Sequence, residues 1–340
     1  MTRALVIGGA GFLGSCIVRE LLHRSVETVI FSRSLPVDGL ADAFGGCEIV
    51  CGSCSDSDAL RKAVKNCDVV FHVGAYYPLY SVDRISQERR ALAELRTVLD
   101  AVLRGGVERF LFTSSPMVLA DDPTAFARSA YNSIKRQLHD EVVQWVDRGL
   151  PGIIVIPGAC FGPGDRKPTT GRLILEIARG RLPFVVDGRM NAVDCRDVAH
   201  AQVNIAERCS AGSCYELGGW NCTITEFARV VAQLAGAPPP FVSLPYVPLR
   251  LIAGMIERVQ YRLGSRLPLL PQSGLDQAHY GTFLDSAAAV HDCGFSARPI
   301  ERTILDTIAY FVREGMLTIR NSRAQTPRYS MPGGIIYEER

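Results

Sequence analysis

The sequence predicts an α/β fold: a doubly wound parallel sheet with a smaller, discontinuous C-terminal lobe. Three observations predict it. Near-continuous apolar strands alternate with helical segments through the first half of the chain. The first strand runs directly into Gly8-Gly9-Ala10-Gly11-Phe12-Leu13-Gly14, with a helix behind it. After about residue 157 the alternation loosens, and Pro163, Gly164, Pro168, Gly171 and Pro183 follow in quick succession.

Strands are expected at 3–8, 27–32, 47–51, 68–73, 109–114 and 152–157. Helices are expected near 12–23, 57–65, 86–104, 127–147 and 170–179. Next come a strand at 183–187, a return to the main sheet at 192–199, and a short strand at Cys214–Leu217. Helices follow at Thr225–Ala235, at about 248–263 within a Pro- and Leu-rich stretch (238–272), and at 299–314. This divides the chain into a binding domain (1–165, rejoined by 188–212), a substrate lobe (166–187 and 213–317) and a tail (318–340).

The glycine loop carries the first chemistry. A side-chain-free turn lets the backbone approach a pyrophosphate, and the helix start behind it supplies N–H donors and a positive dipole end. Gly8, Gly11, Phe12, Leu13 and Gly14 are the candidate contacts. No Gly-Lys-Ser or Gly-Lys-Thr follows, which excludes a P-loop.

Composition removes other classes. The 340 residues are 47% apolar and 21% charged, with a net charge of +2, which gives no basis for nucleic-acid binding. No apolar run reaches membrane-spanning length, and no secretory signal precedes the glycine loop, so a cytoplasmic protein is expected. The 11 cysteines read as reduced thiols packed as small hydrophobes. Cys51 and Cys54 form one CxxC without a second pair, and no metal site is expected.

Tyr131-Asn132-Ser133-Ile134-Lys135 is the second motif. Tyr and Lys four apart share a helix face. A phenol ordinarily titrates near pH 10 (about), and a neighbouring ammonium favours its phenolate. Such a Tyr can pass a proton to or from a carbinol oxygen near neutral pH. The motif starts the helix after a strand ending Thr113-Ser114-Ser115.

Glycines spaced three and three, as in GGAGFLG, resemble the extended, epimerase/dehydratase-type branch of the short-chain dehydrogenase/reductase superfamily, whose fold is a Rossmann sheet. The resemblance covers residues 3 to about 315. It implies a catalytic set of Ser115, Tyr131 and Lys135, with Ser114 as the alternative to Ser115, and gives Lys135 a second role at the nicotinamide ribose. Phe71-His72-Val73-Gly74-Ala75 resembles the fourth-strand motif, which places Gly74 and Ala75 beside the cofactor. Pro157-Gly158-Ala159-Cys160 resembles the segment beside the nicotinamide carboxamide, which adds Pro157, Gly158 and Cys160. Val193 to Ala199 resembles the late strand-to-helix segment, with Asp197 as a helix cap. Lys167 to Arg172 and Gly180 to Pro183 are similar to hopanoid-associated sugar epimerase-like and dihydroflavonol-reductase-like members. Ser114-Ser115-Pro116 is similar to 3β-hydroxysteroid dehydrogenases.

Ser32 and Arg33 end the second strand where an acid would hold the ribose 2′-hydroxyl of NAD(H). Arg offers a planar multi-donor partner for a 2′-phosphate, so NADP(H) is preferred and NAD(H) is possible. Two departures from the family stand out. Gly52-Ser53 replaces the usual Gly-Asp, leaving Ser53 as the adenine contact. Ala91-Leu92-Ala93-Glu94-Leu95 occupies the segment that usually carries an active-site Asn, with Gln87 as the nearest substitute.

The expected activity is an NAD(P)-dependent reductase or dehydrogenase acting on a small-molecule ketone or secondary alcohol. A nucleotide-sugar epimerase and a catalytically degenerate cofactor-binding protein are the alternatives. Pro116 and Met117 lack the carboxylate of a dehydratase. Tyr76, Tyr77, Tyr80 and the 238–272 region suit an apolar or aromatic substrate, whereas Lys167 and Arg172 would suit a diphosphate. A membrane-surface role for the 248–263 helix is a further reading. The resemblance implies a homodimer through the helices at 86–104 and 127–147.

Overall fold

A computed structural model of the chain describes residues 1–33, 44–74, 76, 80–265 and 270–318. The strands are β1 (Arg3–Ile7), β2 (Glu27–Ser32), β3 (Glu48–Cys51), β4 (Val69–His72), β5 (Arg109–Thr113) and β6 (Gly152–Pro157). Then come β7 (Ala159–Phe161), β8 (Phe184–Val185), β9 (Arg189–Asp194), β10 (Cys214–Leu217), β11 (Trp220–Thr223) and β12 (Val242–Ser243). The helices of the first half are α1 (Phe12–His23), α2 (Ser57–Val64), α3 (Arg84–Gly105), α4 (Thr124–Arg128) and α5 (Ala130–Asp147). Those of the second are α6 (Gly171–Ala178), α7 (Cys195–Arg208), α8 (Ile224–Ala235), α9 (Tyr246–Arg262), α10 (Gln272–His279), α11 (Ala287–Cys293) and α12 (Ile300–Arg313).

The main sheet has seven strands in the order β10-β6-β5-β4-β1-β2-β3, and every neighbouring pair is parallel. Both faces are covered, which is why its strands read as continuous apolar runs. Alternation along β1 sends Ala4 and Val6 to a layer shared with Ile17 and Leu21 of α1 and Val198 of α7. Leu5 and Ile7 go to the opposite layer, with Leu60 of α2, Leu95 and Leu99 of α3, and Leu138 of α5. Strand order reverses between β1 and β4, so a crevice opens at their C-terminal ends, where ligands bind in such sheets. The chain belongs to the doubly wound Rossmann class that the sequence predicts.

Beyond β6 the structure corrects the expectation. The strand foreseen as returning to the main sheet at 192–199 does not join it. It is β9, ending at Asp194, in a separate three-stranded sheet with β7 and β11. The edge beside β6 is taken by β10, which sequence had grouped with the substrate lobe; Cys214 pairs with Ile154 and Leu217 with Pro157. β10 is a four-residue edge strand with a central Tyr-Glu pair, too short and mixed to announce itself. The helix that follows β9 does pack on α1, within the first apolar layer.

Asp197 is not a cap either. Asp194 caps α7 by accepting from Arg196 N, while Asp197 pairs with Arg298 at 2.6 Å. The helix expected at 127–147 is broken at Ser129 into α4 and α5. Helices α10 and α11 were not foreseen. A third apolar core joins α6, α8 and α12 through Ile174, Phe227, Val231, Ile304 and Phe311. Of the expected tail (318–340), residues 319–340 lie outside the described residues.

Candidate active site

At the crevice, main chain meets main chain. Gly8 has φ +86°, and a Cβ there would lie 2.6 Å from Gly74 Cα. A Cβ on Gly14 would lie 2.1 Å from the carbonyl oxygen of Gly8. Gly11 caps α1, and the first intrahelical bond runs from Ser15 N to Gly11 O at 2.8 Å. The N–H groups of Phe12, Leu13 and Gly14 therefore precede the helix's own ladder, and no acid occupies its first turn. Such a cradle fits the pyrophosphate of a dinucleotide, which needs open donors and no side chain in the way.

Ser115, Tyr131 and Lys135 converge above the end of β5. Ser115 caps the 3-10 turn Pro116–Leu119, and its Oγ lies 3.4 Å from the Tyr131 hydroxyl. That separation is long for a hydrogen bond between hydroxyls, as is common before a substrate closes the site. Lys135 Nζ lies 5.7 Å from the Tyr131 ring centroid. Burial pushes the Lys135 ammonium down to about 8, and no carboxylate pairs with it among the described residues. Ser114 turns elsewhere: its Oγ lies 3.1 Å from His139 Nδ1. Ser115 is thus the serine facing Tyr131.

The start of α5 is fixed from two sides. Ser129, fully buried, accepts from Asn132 N. Ser133, on the turn between Tyr131 and Lys135, donates to Glu88 Oε1 at 2.6 Å and accepts from Arg84 at 2.7 Å. Arg84 also donates to Ala127 O, so the first turns of α3 hold the entry to α5. Asn132 is wholly buried, and among the described residues neither end of its amide has a partner. His72, at the end of β4, lies under the site. It stacks on Phe112 at 5.6 Å, and burial, aided by the Lys135 charge, pushes it down to about 4. His72 and Asn132 lie within the two sequence motifs, but nothing in the sequence assigns either a role of its own.

The expected Asn of α3 is absent, and Ala91 stands at its position. There a cavity of about 10 Å³ opens beside Ala91, His72, Gly74, Tyr76 and Glu94, room for one water. Gln87 does not fill it: its amide donates to Tyr80 O at 3.0 Å and to Val82 O.

The remaining candidates are dispersed. Ser32 ends β2 and its carbonyl accepts from Gly52 N; Arg33 follows, exposed, with its charge reaching Cys54. Ser53 Oγ lies 2.9 Å from Ser55 Oγ, while the nearby Asp56 caps α2. Burial pushes the Cys54 thiol up to about 11, the reverse of a reactive CxxC thiol. Pro157 pairs with Leu217 at the sheet end. Gly158 tolerates no Cβ, which would lie 2.2 Å from Asn191 Oδ1, and burial pushes the Cys160 thiol strongly up. Tyr76 packs under the Arg90 guanidinium, 5.5 Å from its ring centre, and Tyr80 donates to Ser265 O at 2.7 Å. Ala75 and Tyr77 lie outside the described residues. Lys167 and Arg172 are exposed near the start of α6, and among the described residues no side-chain bond ties them to Ser115 or Tyr131.

Residues 4–218 match the model of the NAD dependent epimerase/dehydratase family. The chain belongs to that family. The match ends at Gly218, one residue past β10, so it takes in the main sheet except Arg3. Family members catalyse NAD(P)-dependent oxidoreduction or epimerisation. A relative from Synechocystis, named "Putative dihydroflavonol 4-reductase", is 29% identical over 330 residues, covering 91% of this chain and 94% of its own. "Sterol demethylase protein B" of Methylococcus capsulatus is 26% identical over 330 residues, covering 92% and 99%. The crystal structure of gox2253 is 30% identical with a TM-score of 0.79, covering 94% of this chain and all of that one (100%). Among the described residues no helix is long and apolar enough to cross a membrane.

Proposed function

We propose that this epimerase/dehydratase-family chain is an NADP(H)-preferring oxidoreductase that interconverts a ketone and a secondary alcohol. The observation that carries the reading is the convergence of three groups. Ser115 Oγ lies 3.4 Å from the Tyr131 hydroxyl, and the desolvated Lys135 ammonium lies over the Tyr131 ring. A nicotinamide cofactor, held by the Gly8–Gly14 loop, Gly74 and Gly158, would supply the hydride chemistry. In the reducing direction Ser115 orients the carbonyl oxygen by donating a hydrogen bond. Tyr131 gives that oxygen its proton. Lys135, buried without a counter-ion among the described residues, stabilises the phenolate left behind.

Relatives named for a dihydroflavonol and a sterol support an apolar, ring-containing substrate. On the same reading Arg33 holds a 2′-phosphate, the chain acts in the cytoplasm, and α3 and α5 pair two copies into a homodimer. Residues 166–187 and 213–317, less the β10 strand, form the substrate lobe.

The test is cofactor use with a panel of steroid, flavonoid and aromatic ketones and of nucleotide sugars. NADPH should exceed NADH in kcat/KM by about tenfold, and Arg33→Asp should reverse that order. Preference of the native protein for NADH sinks the cofactor assignment. Epimerisation of a nucleotide sugar without net reduction would replace this reading with the epimerase one. NADPH binding without turnover on any of these would favour a degenerate, binding-only member.

A further inference from the structure

Exposed apolar side chains concentrate on one element. Phe241 is 81% exposed, and along α9 Val247, Leu251 (63%), Ile252, Met255 (60%) and Val259 stand in solvent, with Leu263 just beyond. Val247, Leu251, Met255 and Val259 follow one another every fourth residue. At 3.6 residues per turn they share one half of the helix with Ile252, Arg258 and Arg262. The buried residues of α9 include Tyr246, Ala253 and Glu257. Glu257 accepts from Ser81 N at 2.9 Å, Tyr246 donates to Asp276 at 2.7 Å, and Arg250 pairs with Asp276 at 2.7 Å. The helix is therefore anchored by its inner face, and its outer face is exposed among the described residues.

The charges on that outer face are of one sign. Arg258 and Arg262 are exposed, and Glu257, the acid of α9, is buried. A symmetric contact between two copies must be self-complementary, and on this face α9 offers no acid to receive its arginines. An apolar stripe rimmed by cations complements a surface that is apolar below and anionic above.

We infer that the outer face of α9, with Phe241 at its entry, docks on an anionic lipid membrane. Leu251, Met255 and Val259 enter the acyl boundary. Arg258 and Arg262 extend their guanidinium groups along it to lipid phosphates. The inference is independent of the reaction proposed above. It does place α9's membrane face on the helix whose buried Glu257 holds Ser81 and whose Tyr261 packs on Tyr80, in the chain leading into α3.

Sedimentation of the full chain with vesicles tests it. The protein should pellet with phosphatidylcholine vesicles containing phosphatidylglycerol, and release as salt rises. It should remain in solution with phosphatidylcholine alone. Leu251→Glu with Met255→Glu should abolish pelleting, and Arg258→Gln with Arg262→Gln should weaken it by about tenfold or more. These positions are exposed, and an unchanged melting temperature confirms that the variants fold. Equal pelleting with both vesicle types, or none with either, overturns the inference. So does a native dimer in light scattering that Met255→Glu converts to monomer, which would make the face a subunit interface.

Discussion

Around the glycine loop, main chain rests on main chain. The Gly8 and Gly74 backbones meet with no room for a Cβ, and Gly14 lies under the carbonyl of Gly8. Around α9 and α10 the contacts run through side chains instead. Asp276 takes bonds from Tyr246 and Arg250, Tyr246 stacks on His279 at 3.9 Å, and Arg250 also donates to Arg128 O at 2.6 Å. Backbone contact prescribes one residue type, so it leaves a pattern in the sequence. A side-chain network can be composed from many pairs, and leaves none.

Breaking each region separately should separate its effects. Asp276→Ala leaves Arg250 and Tyr246 facing a buried void, and should cost about 3–5 kcal/mol in denaturant unfolding. Its NADPH affinity should stay within about twofold of native, because no cofactor contact runs through it. A large loss of cofactor affinity in that variant would erase the distinction between the regions. Gly14→Ala should differ in its effect on the cofactor. It should cost about 3 kcal/mol from backbone overlap and abolish measurable NADPH binding.

Lys135→Met sharpens the comparison at the junction between the regions. Burial holds the folded Lys135 at about 8 against an ordinary 10.5, so between those values the unfolded chain binds more protons. Native stability from this group therefore rises with pH across that window, and the penalty is fully present below it. The cofactor-free Lys135→Met variant should be more stable than native by about 2 kcal/mol at neutral pH. The gap should close as pH rises from 8 towards 10.5. A gap independent of pH would mean that Lys135 is not carrying a desolvated charge.

The same contrast governs how much could be read from the chain. Strands β1 to β6 emerge within about a residue of expectation, because β1, β2, β4, β5 and β6 are buried along nearly their whole length; the edge strand β3 buries only Val50. Ser115, Tyr131 and Lys135 come together because a strand end and the following helix start bring them there. Tyr76 and Tyr80 were expected at a substrate, yet both have packing partners, in Arg90 and in Ser265 and Tyr261. An aromatic run beside a cleft reads alike for either use. Asp194 ends β9 and Asp197 lies in the first turn of α7; the helix starts at Cys195, so Asp194 is the cap and Asp197 is left to pair with Arg298. The short edge strand β10 gains its place from its pairing with β6, a contact about 60 residues away in sequence that local pattern does not encode.

The central claim is that Tyr131 moves the proton while the rest of the site holds the cofactor. Tyr131→Phe removes one hydroxyl and leaves the glycine loop and Lys135 in place. Turnover of the best ketone from the panel should fall by about a thousandfold, with the NADPH dissociation constant within about twofold of native. Turnover retained within about tenfold of native would contradict the account.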